Sequence, residues 1–367
     1  MKIPFRKLET ILSKPRRNEP LTHEDLLILL NLCRSEQLDA LFRTAIELRN
    51  QYFGHKIFFY GFLYTSTFCR NNCRFCYYRR SNSYIQRYRK ELPEIVAAAT
   101  QMSSSGAHLI DLTMGEDPAL FNGDGGGFDR LIELVQAVRQ ATGLPIMVSP
   151  GVIPENVLPR LVKAGADWYA CYQETHKKQL FNQLRPGQDF NLRLDTKQKA
   201  HDIGMLIEEG LLCGVGETPI DVARSLKVMQ QLDADQVRVM KFVPQPGTPM
   251  ENGSSPDSHK EMKIIAIMRL VFPDRLIPAS LDVDGLAGLK QRLDAGANVV
   301  TSIVPPGSGL TGVAQHSLDI EDGRRTIASV LNVLEDCALR PASQTDYLDW
   351  IKHRQKERAA NSIQPTI

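Results

Sequence analysis

The chain has 367 residues, 43% hydrophobic and 23% charged, with a formal net charge of +2. That is the make-up of a globular enzyme, and it gives no reason to expect nucleic acid or an anionic membrane as partner. No apolar signal core follows Met1-Lys2-Ile3-Pro4-Phe5-Arg6 and no run of about 18 apolar residues is long enough to span a bilayer, so a cytoplasmic location with reduced thiols is expected.

Residues 1–20, basic and Pro-bearing, read as a loose arm or a short first helix. Thr22 reads as an N-cap ahead of Glu24, Asp25 and the apolar Leu26, Leu27, Leu29 and Leu30. A second helix over 36–52 leads into the first strand. Apolar, β-rich stretches then recur at 57–68, 108–114, 145–149, 167–172, 205–214, 236–243, 276–281 and 298–304. Helical patterns follow them at 93–104, 128–142, 155–163, 192–202, 220–232, 260–272, 286–294 and 324–336. Three helix exits, Ser105-Gly106-Ala107, Ala164-Gly165-Ala166 and Ala295-Gly296-Ala297, offer glycine for the left-handed position that ends a helix. Eight strands with eight following helices is the count of an α/β fold closed as a complete (β/α)8 TIM-type barrel. A six-strand partial barrel with an accessory unit is the alternative. The expected division is an N-terminal helical extension over 1–54, the barrel over 55–340 and a tail over 341–367, its last dozen residues frayed.

The first strand runs into Phe68-Cys69-Arg70-Asn71-Asn72-Cys73-Arg74-Phe75-Cys76-Tyr77. Thiolates from Cys69, Cys73 and Cys76 suffice for three corners of a [4Fe–4S] cluster, leaving its fourth iron free to take a small molecule's amino and carboxylate groups. A zinc site is the competing reading, but zinc favours paired C-x2-C units and four closed ligands, and no His lies between His55 and His108. Cys33, Cys171, Cys213 and Cys337 are scattered and read as small core residues.

This spacing, with an aromatic just before the last cysteine, resembles the signature of the radical S-adenosylmethionine (SAM) enzymes. The resemblance implies a [4Fe–4S] cluster and SAM as cofactors, and an external one-electron donor of flavodoxin or ferredoxin type. In such a barrel the site lies at the C-terminal strand ends. The second strand ends Met114-Gly115-Glu116-Asp117, similar to the family's Gly-Gly-Glu element except that Met114 stands for its first glycine. Glu116 and nearby carbonyls there suit the amino group of SAM. Glu174, closing strand four, suits the ribose hydroxyls. Arg193 suits the methionine carboxylate, with Arg185 as competitor. Gly214 after strand five offers a bare wall for the adenine, which Tyr77 flanks. The inner strands carry Asp111, Arg238, Ser280 and Asp282 amid apolar neighbours. These either bind an amphoteric ligand or form an internal ion-pair layer.

The segments Asp111-Leu112-Thr113-Met114-Gly115-Glu116-Asp117-Pro118, Gln173-Glu174-Thr175, Val237-Arg238-Val239-Met240, Ile277-Pro278-Ala279-Ser280-Leu281-Asp282 and Ala295-Gly296-Ala297-Asn298 closely resemble the 3-methylornithine synthase family, over residues 21–346. The resemblance implies a radical SAM mutase converting L-lysine to (3R)-3-methyl-D-ornithine, the opening step of pyrrolysine biosynthesis. A 5′-deoxyadenosyl radical would take a hydrogen from lysine, and the Cα–Cβ bond would break and rejoin branched. No side chain is assigned a catalytic role, because the radical arises on the cofactor. Arg238 then suits the lysine carboxylate and Asp111, Ser280 and Asp282 its nitrogens, with Ser149 and Thr301 as weaker lining. Another radical SAM barrel, of biotin synthase or hydrogenase maturase type, is the alternative.

Overall fold

In this computed structural model, which describes residues 4–121, 127–313 and 320–363, strands and helices alternate as the apolar pattern predicts. Helices α1 (Phe5–Arg16), α2 (His23–Leu30) and α3 (Ser35–Phe53) precede β1 (Lys56–Ser66). Thr22 caps α2 in a reciprocal box with Asp25. The chain continues through α4 (Leu92–Ser104), β2 (Leu109–Met114), α5 (Gly127–Thr142), β3 (Ile146–Ser149), α6 (Leu158–Ala164) and β4 (Ala166–Ala170). It then forms α7 (Lys178–Leu184), α8 (Phe190–Asp202), β5 (Leu206–Cys213), α9 (Pro219–Gln231), β6 (Gln236–Lys241) and α10 (Ser258–Val271). The last elements are β7 (Pro278–Ser280), α11 (Leu289–Asp294), β8 (Val299–Ile303), α12 (Ile327–Asp336), β9 (Arg340–Pro341) and α13 (Gln344–Ile363).

All eight barrel strands pair in parallel, in the order β6-β5-β4-β3-β2-β1-β8-β7. Helices cover the outer face and side chains fill the inner one, so a strand such as β1 is buried on both sides and reads as one apolar run. The expected complete barrel needs a correction: it is nearly closed. Between β6 and β7 the ladder shrinks to a single bridge, Gln236 to Leu276. The cause is local, since β7 spans three residues and opens with Pro278, which has no N–H to give a ladder.

The other end of the barrel is floored. Helix α13 lays Tyr347 against Tyr60, hydroxyl to hydroxyl at 2.8 Å, and stacks Trp350 on Trp168 with centroids 5.9 Å apart. Buried Arg354 donates to Asp235 at 3.0 Å. Of the last dozen residues expected to fray, those through Ile363 are helical, with arginines of the same helix spent on buried carboxylates, while 364–367 lie outside the described residues. With this end filled, the C-terminal strand ends are left to form a cavity. Among the described residues no helix is long and apolar enough to cross a membrane.

Candidate active site

Beyond β1 the chain forms the cysteine loop, and the end of β2 holds it in place. Ser66 Oγ donates to Asp117 at 2.5 Å, Arg89 grips both Asp117 oxygens at 2.7 and 2.8 Å, and the Arg70 N–H donates to the Glu116 carbonyl at 2.8 Å. Gly115 lies against the loop so closely that a Cβ there would stand 2.7 Å from both Cys69 Cβ and the Phe68 carbonyl oxygen. Cys69, Cys73 and Cys76 all line a cavity of about 1320 Å³ including its open mouth. Burial pushes the Cys69 thiol up to about 11, and burial together with the charge of Cys73 and Cys69 pushes Cys76 higher still. Thiols so placed need a metal to give up their protons.

The donor set fits a cluster. Among the described residues no three His, Cys, Asp or Glu side chains stand close enough to share one metal ion. A cube asks for three thiolates facing one space, each holding a different iron, whereas tetrahedral zinc asks for a fourth closing ligand. Hydrogen bonds to sulfur are also in place. Gln188 Nε2 and Arg185 Nη1 approach Cys73 Sγ at 3.0 and 3.4 Å, and the Asn71 N–H approaches Cys69 Sγ at 3.4 Å.

At the rim, Glu116 lies 3.4 Å from Arg193, and burial is outweighed by that charge so that its carboxyl stays below the ordinary range. Arg193 Nε also donates to the Tyr172 carbonyl at 2.8 Å. Glu174 is paired with Arg185 at 2.6 Å and sits at φ 65°, a left-handed strand end that turns its side chain to the cavity. Both candidate arginines are thus at the site. Two other expectations fall elsewhere. Gly214 does not line the cavity: its N–H is held by Glu217, and its missing side chain would meet Pro256. Tyr77 points its hydroxyl to the Tyr84 carbonyl at 3.1 Å, while Phe75 and Tyr78 supply the aromatic wall. One step along a chain changes the face presented, and spacing alone does not resolve that.

Deeper in the barrel, Arg238 on β6 is buried. Its Nε donates to Glu208 at 2.7 Å and its Nη1 to Thr301 Oγ1 at 3.3 Å, while Nη2 has no partner. Burial opposes the guanidinium charge, but Glu208 outweighs it and the pKa stands above the ordinary value. Glu208 also accepts from the Tyr172 hydroxyl at 2.8 Å. Space for that ring comes from Gly210, where a Cβ would lie 2.8 Å from it. Asp111 on β2 accepts from Ser149 Oγ at 2.9 Å through one oxygen and has a buried, unpartnered second oxygen. Burial first, then Glu208, pushes its carboxyl up to about 8. Asp282 is already engaged by Arg325 at 2.6 Å and by the Tyr64 hydroxyl at 2.8 Å, and its N–H donates to Ser280 Oγ at 3.2 Å. Ser280 in turn meets Ser302 at 3.1 Å.

Glu208 and Gln188 are the residues that the sequence reading missed. The signal for Glu208 was present: two adjacent acids, Glu208-Glu209, interrupt an apolar strand. Alternation sends one inward to Arg238 and the other outward to Lys197.

A parallel eight-stranded barrel whose first loop gathers three cysteines over an open cavity defines a class, and the model of the radical SAM superfamily matches residues 63–229. The chain is 45% identical to the 3-methylornithine synthase of Methanosarcina acetivorans, over 89% of this chain and 92% of that one. The crystal structure of methylornithine synthase (PylB) superposes with a TM-score of 0.87 at 43% identity, covering 93% of this chain and 99% of that one. Identity to the [FeFe] hydrogenase maturase subunit HydE of Thermotoga maritima is 31%, over 79% and 82% of the two chains. The chain belongs to the 3-methylornithine synthase family of the radical SAM superfamily.

Proposed function

We propose that this enzyme converts L-lysine to (3R)-3-methyl-D-ornithine. Cys69, Cys73 and Cys76 would hold a [4Fe–4S] cluster, with SAM beside it. When bound, these cofactors supply one electron and a carbon radical able to take a hydrogen atom from an unactivated side chain. Glu116 and Arg193 would take the amino and carboxylate groups of SAM, and Glu174 its ribose; all three line the cavity beside the cysteines.

The observation that carries the substrate is a pair of buried, unpartnered atoms of opposite character, Arg238 Nη2 and Asp111 Oδ2. Leaving both unsatisfied is costly, so a ligand with a carboxylate and an ammonium group suits them. Glu208 fixes Arg238 by Nε and Thr301 takes Nη1, which leaves Nη2 for a carboxylate. Charge supports lysine: Arg238 and Arg325 face Glu208, Asp111 and Asp282, leaving one carboxylate in excess for a monocation. Asp282 lines the same cavity as a further partner for nitrogen, with Ser280 behind it on the Asp282 N–H. Phe62, Tyr64 and Tyr172 wall the cavity. They exclude the water that would quench carbon fragments between cleavage and rejoining.

Replacing Arg238 by Ala tests the reading. Product formation should fall at least about a hundredfold at ordinary lysine concentrations, the loss expected for a charge-assisted anchor, while iron per chain is unchanged. Full activity in that variant would put the carboxylate elsewhere.

A further inference from the structure

The radical SAM reading, on which this inference rests, requires one electron from outside. The segment around the cysteines has a one-sided charge. From Ser66 to Lys90 it carries six arginines and one lysine and not one Asp or Glu. Several are occupied: Arg89 by Asp117, Arg70 by Glu116, Lys90 by Glu94, and Arg87 by backbone carbonyls.

Arg74 and Arg80 are not. Both are exposed, and among the described residues neither pairs with a carboxylate. Their backbones are fixed beside the cysteines. Arg74 lies between Cys73 and Cys76, with its N–H on the Leu184 carbonyl at 2.8 Å. The Arg80 N–H bonds the Asn71 carbonyl at 2.7 Å, which folds it back onto the stretch joining Cys69 to Cys73. Close by, Tyr84 leaves 69% of its surface exposed although its backbone is pinned, its N–H on Asn82 at 2.9 Å and its carbonyl on the Tyr77 hydroxyl. The carboxylates at the margin, Asp189 and Glu251, are turned to backbone N–H groups of their own turns.

Free arginines and an exposed aromatic ring carried on one backbone-pinned loop are the ingredients of a protein-docking patch. We propose that this face docks a small acidic electron-carrier protein with an exposed flavin. Its carboxylate rim would meet Arg74 and Arg80, and the flavin edge would rest near Tyr84, where a planar ring finds a stacking partner. One electron leaves the reduced flavin and one enters the cluster, and no atom is transferred. The charge pairing steers encounter and sets the carrier's redox group beside the cysteine loop.

The test uses cluster-loaded enzyme and reduced flavodoxin, with dithionite as the small-molecule control. Calorimetric affinity for flavodoxin should weaken as salt is raised past the point where surface charges are screened, about 0.15 M. The Arg74→Glu/Arg80→Glu variant should bind roughly tenfold more weakly or worse. Its flavodoxin-driven formation of 5′-deoxyadenosine should fall in step, while iron per chain and the dithionite-driven rate stay within about twofold. Arg74→Gln/Arg80→Gln, which cannot repel the loop's own neighbours, should lose less in the same direction. Unchanged flavodoxin affinity in both variants would overturn the docking face. Reduced ferredoxin succeeding where flavodoxin fails would overturn the choice of flavin. If dithionite yields no 5′-deoxyadenosine even in the unaltered chain, the radical SAM reading fails, and the binding isotherms still decide the docking.

Discussion

Asp111 sits in an environment that opposes the charge its type prefers. Buried and near Glu208, its carboxyl is pushed from 3.8 up to about 8, so at neutral pH the empty enzyme holds it mainly protonated. An ammonium group arriving at Oδ2 favours the charged form. Lysine binding near pH 7 should therefore release a proton, visible as a calorimetric heat that varies with the ionisation enthalpy of the buffer. Asp111→Asn should remove that variation. The same shift has a stability consequence of definite sign. Between 3.8 and about 8 the native state keeps a proton that the unfolded chain has lost. Stability without ligand should thus decline as pH rises through that window, by at most about 1.4 kcal/mol per pH unit. Denaturant titrations of the Asp111→Asn variant should show a flatter profile. Glu208 is the complementary case. Glu208→Gln keeps the shape but replaces the anion that fixes Arg238 and puts a donor in reach of the Tyr172 hydroxyl. We expect kcat/KM for lysine to drop about tenfold or more, with iron content unchanged. Steady-state rates and iron assay together check this.

Strands and loops show what could be read from residues and what could not. The eight strands were legible because each is buried on both faces, which writes a continuous apolar run into the sequence. The cysteine loop was legible because iron–sulfur ligation demands one residue type at fixed intervals. The seam between β6 and β7 was not, since it depends on how far a three-residue strand reaches its neighbour. Helix α7 was missed as well, and it ends at the residue before Arg185, the partner of Glu174. Ion-pair partners more generally escape a linear reading: Asp235 meets Arg354 across a gap of more than a hundred residues. Two substitutions probe these elements. Gly115→Ala forces a Cβ to 2.7 Å from Cys69 Cβ and the Phe68 carbonyl, so it should lower iron per chain after reconstitution while leaving the circular dichroism spectrum intact. Arg354→Ala strips buried Asp235 of one partner and should cost about 3 kcal/mol in urea unfolding, with kcat of the folded fraction unchanged.

Taken together, the molecule is a barrel sealed at one end and chemically equipped at the other. Tyr60, Trp168, Tyr347 and Trp350 fill the floor, and the cysteine loop and the α7–α8 connection meet over the cavity. Between them lies a chamber whose charged groups are held in pairs, Arg238 with Glu208, Arg325 with Asp282, Arg193 with Glu116 and Arg185 with Glu174, which suits a reaction that must hold reactive carbon fragments without losing them to solvent. Homologous barrels run different chemistries, so in the function proposed above it is the buried Arg238–Glu208 and Asp111–Ser149 pairs, rather than the fold, that would choose the substrate. The most direct measurement is an anaerobic incubation with SAM, dithionite and isotopically labelled L-lysine, separated chromatographically and read by mass spectrometry. The labelled carbon should appear in an isomer of unchanged mass and shifted retention, together with 5′-deoxyadenosine, and both should vanish when Cys69 is replaced by Ala. Release of 5′-deoxyadenosine with every labelled lysine recovered unaltered would contradict the assignment of substrate.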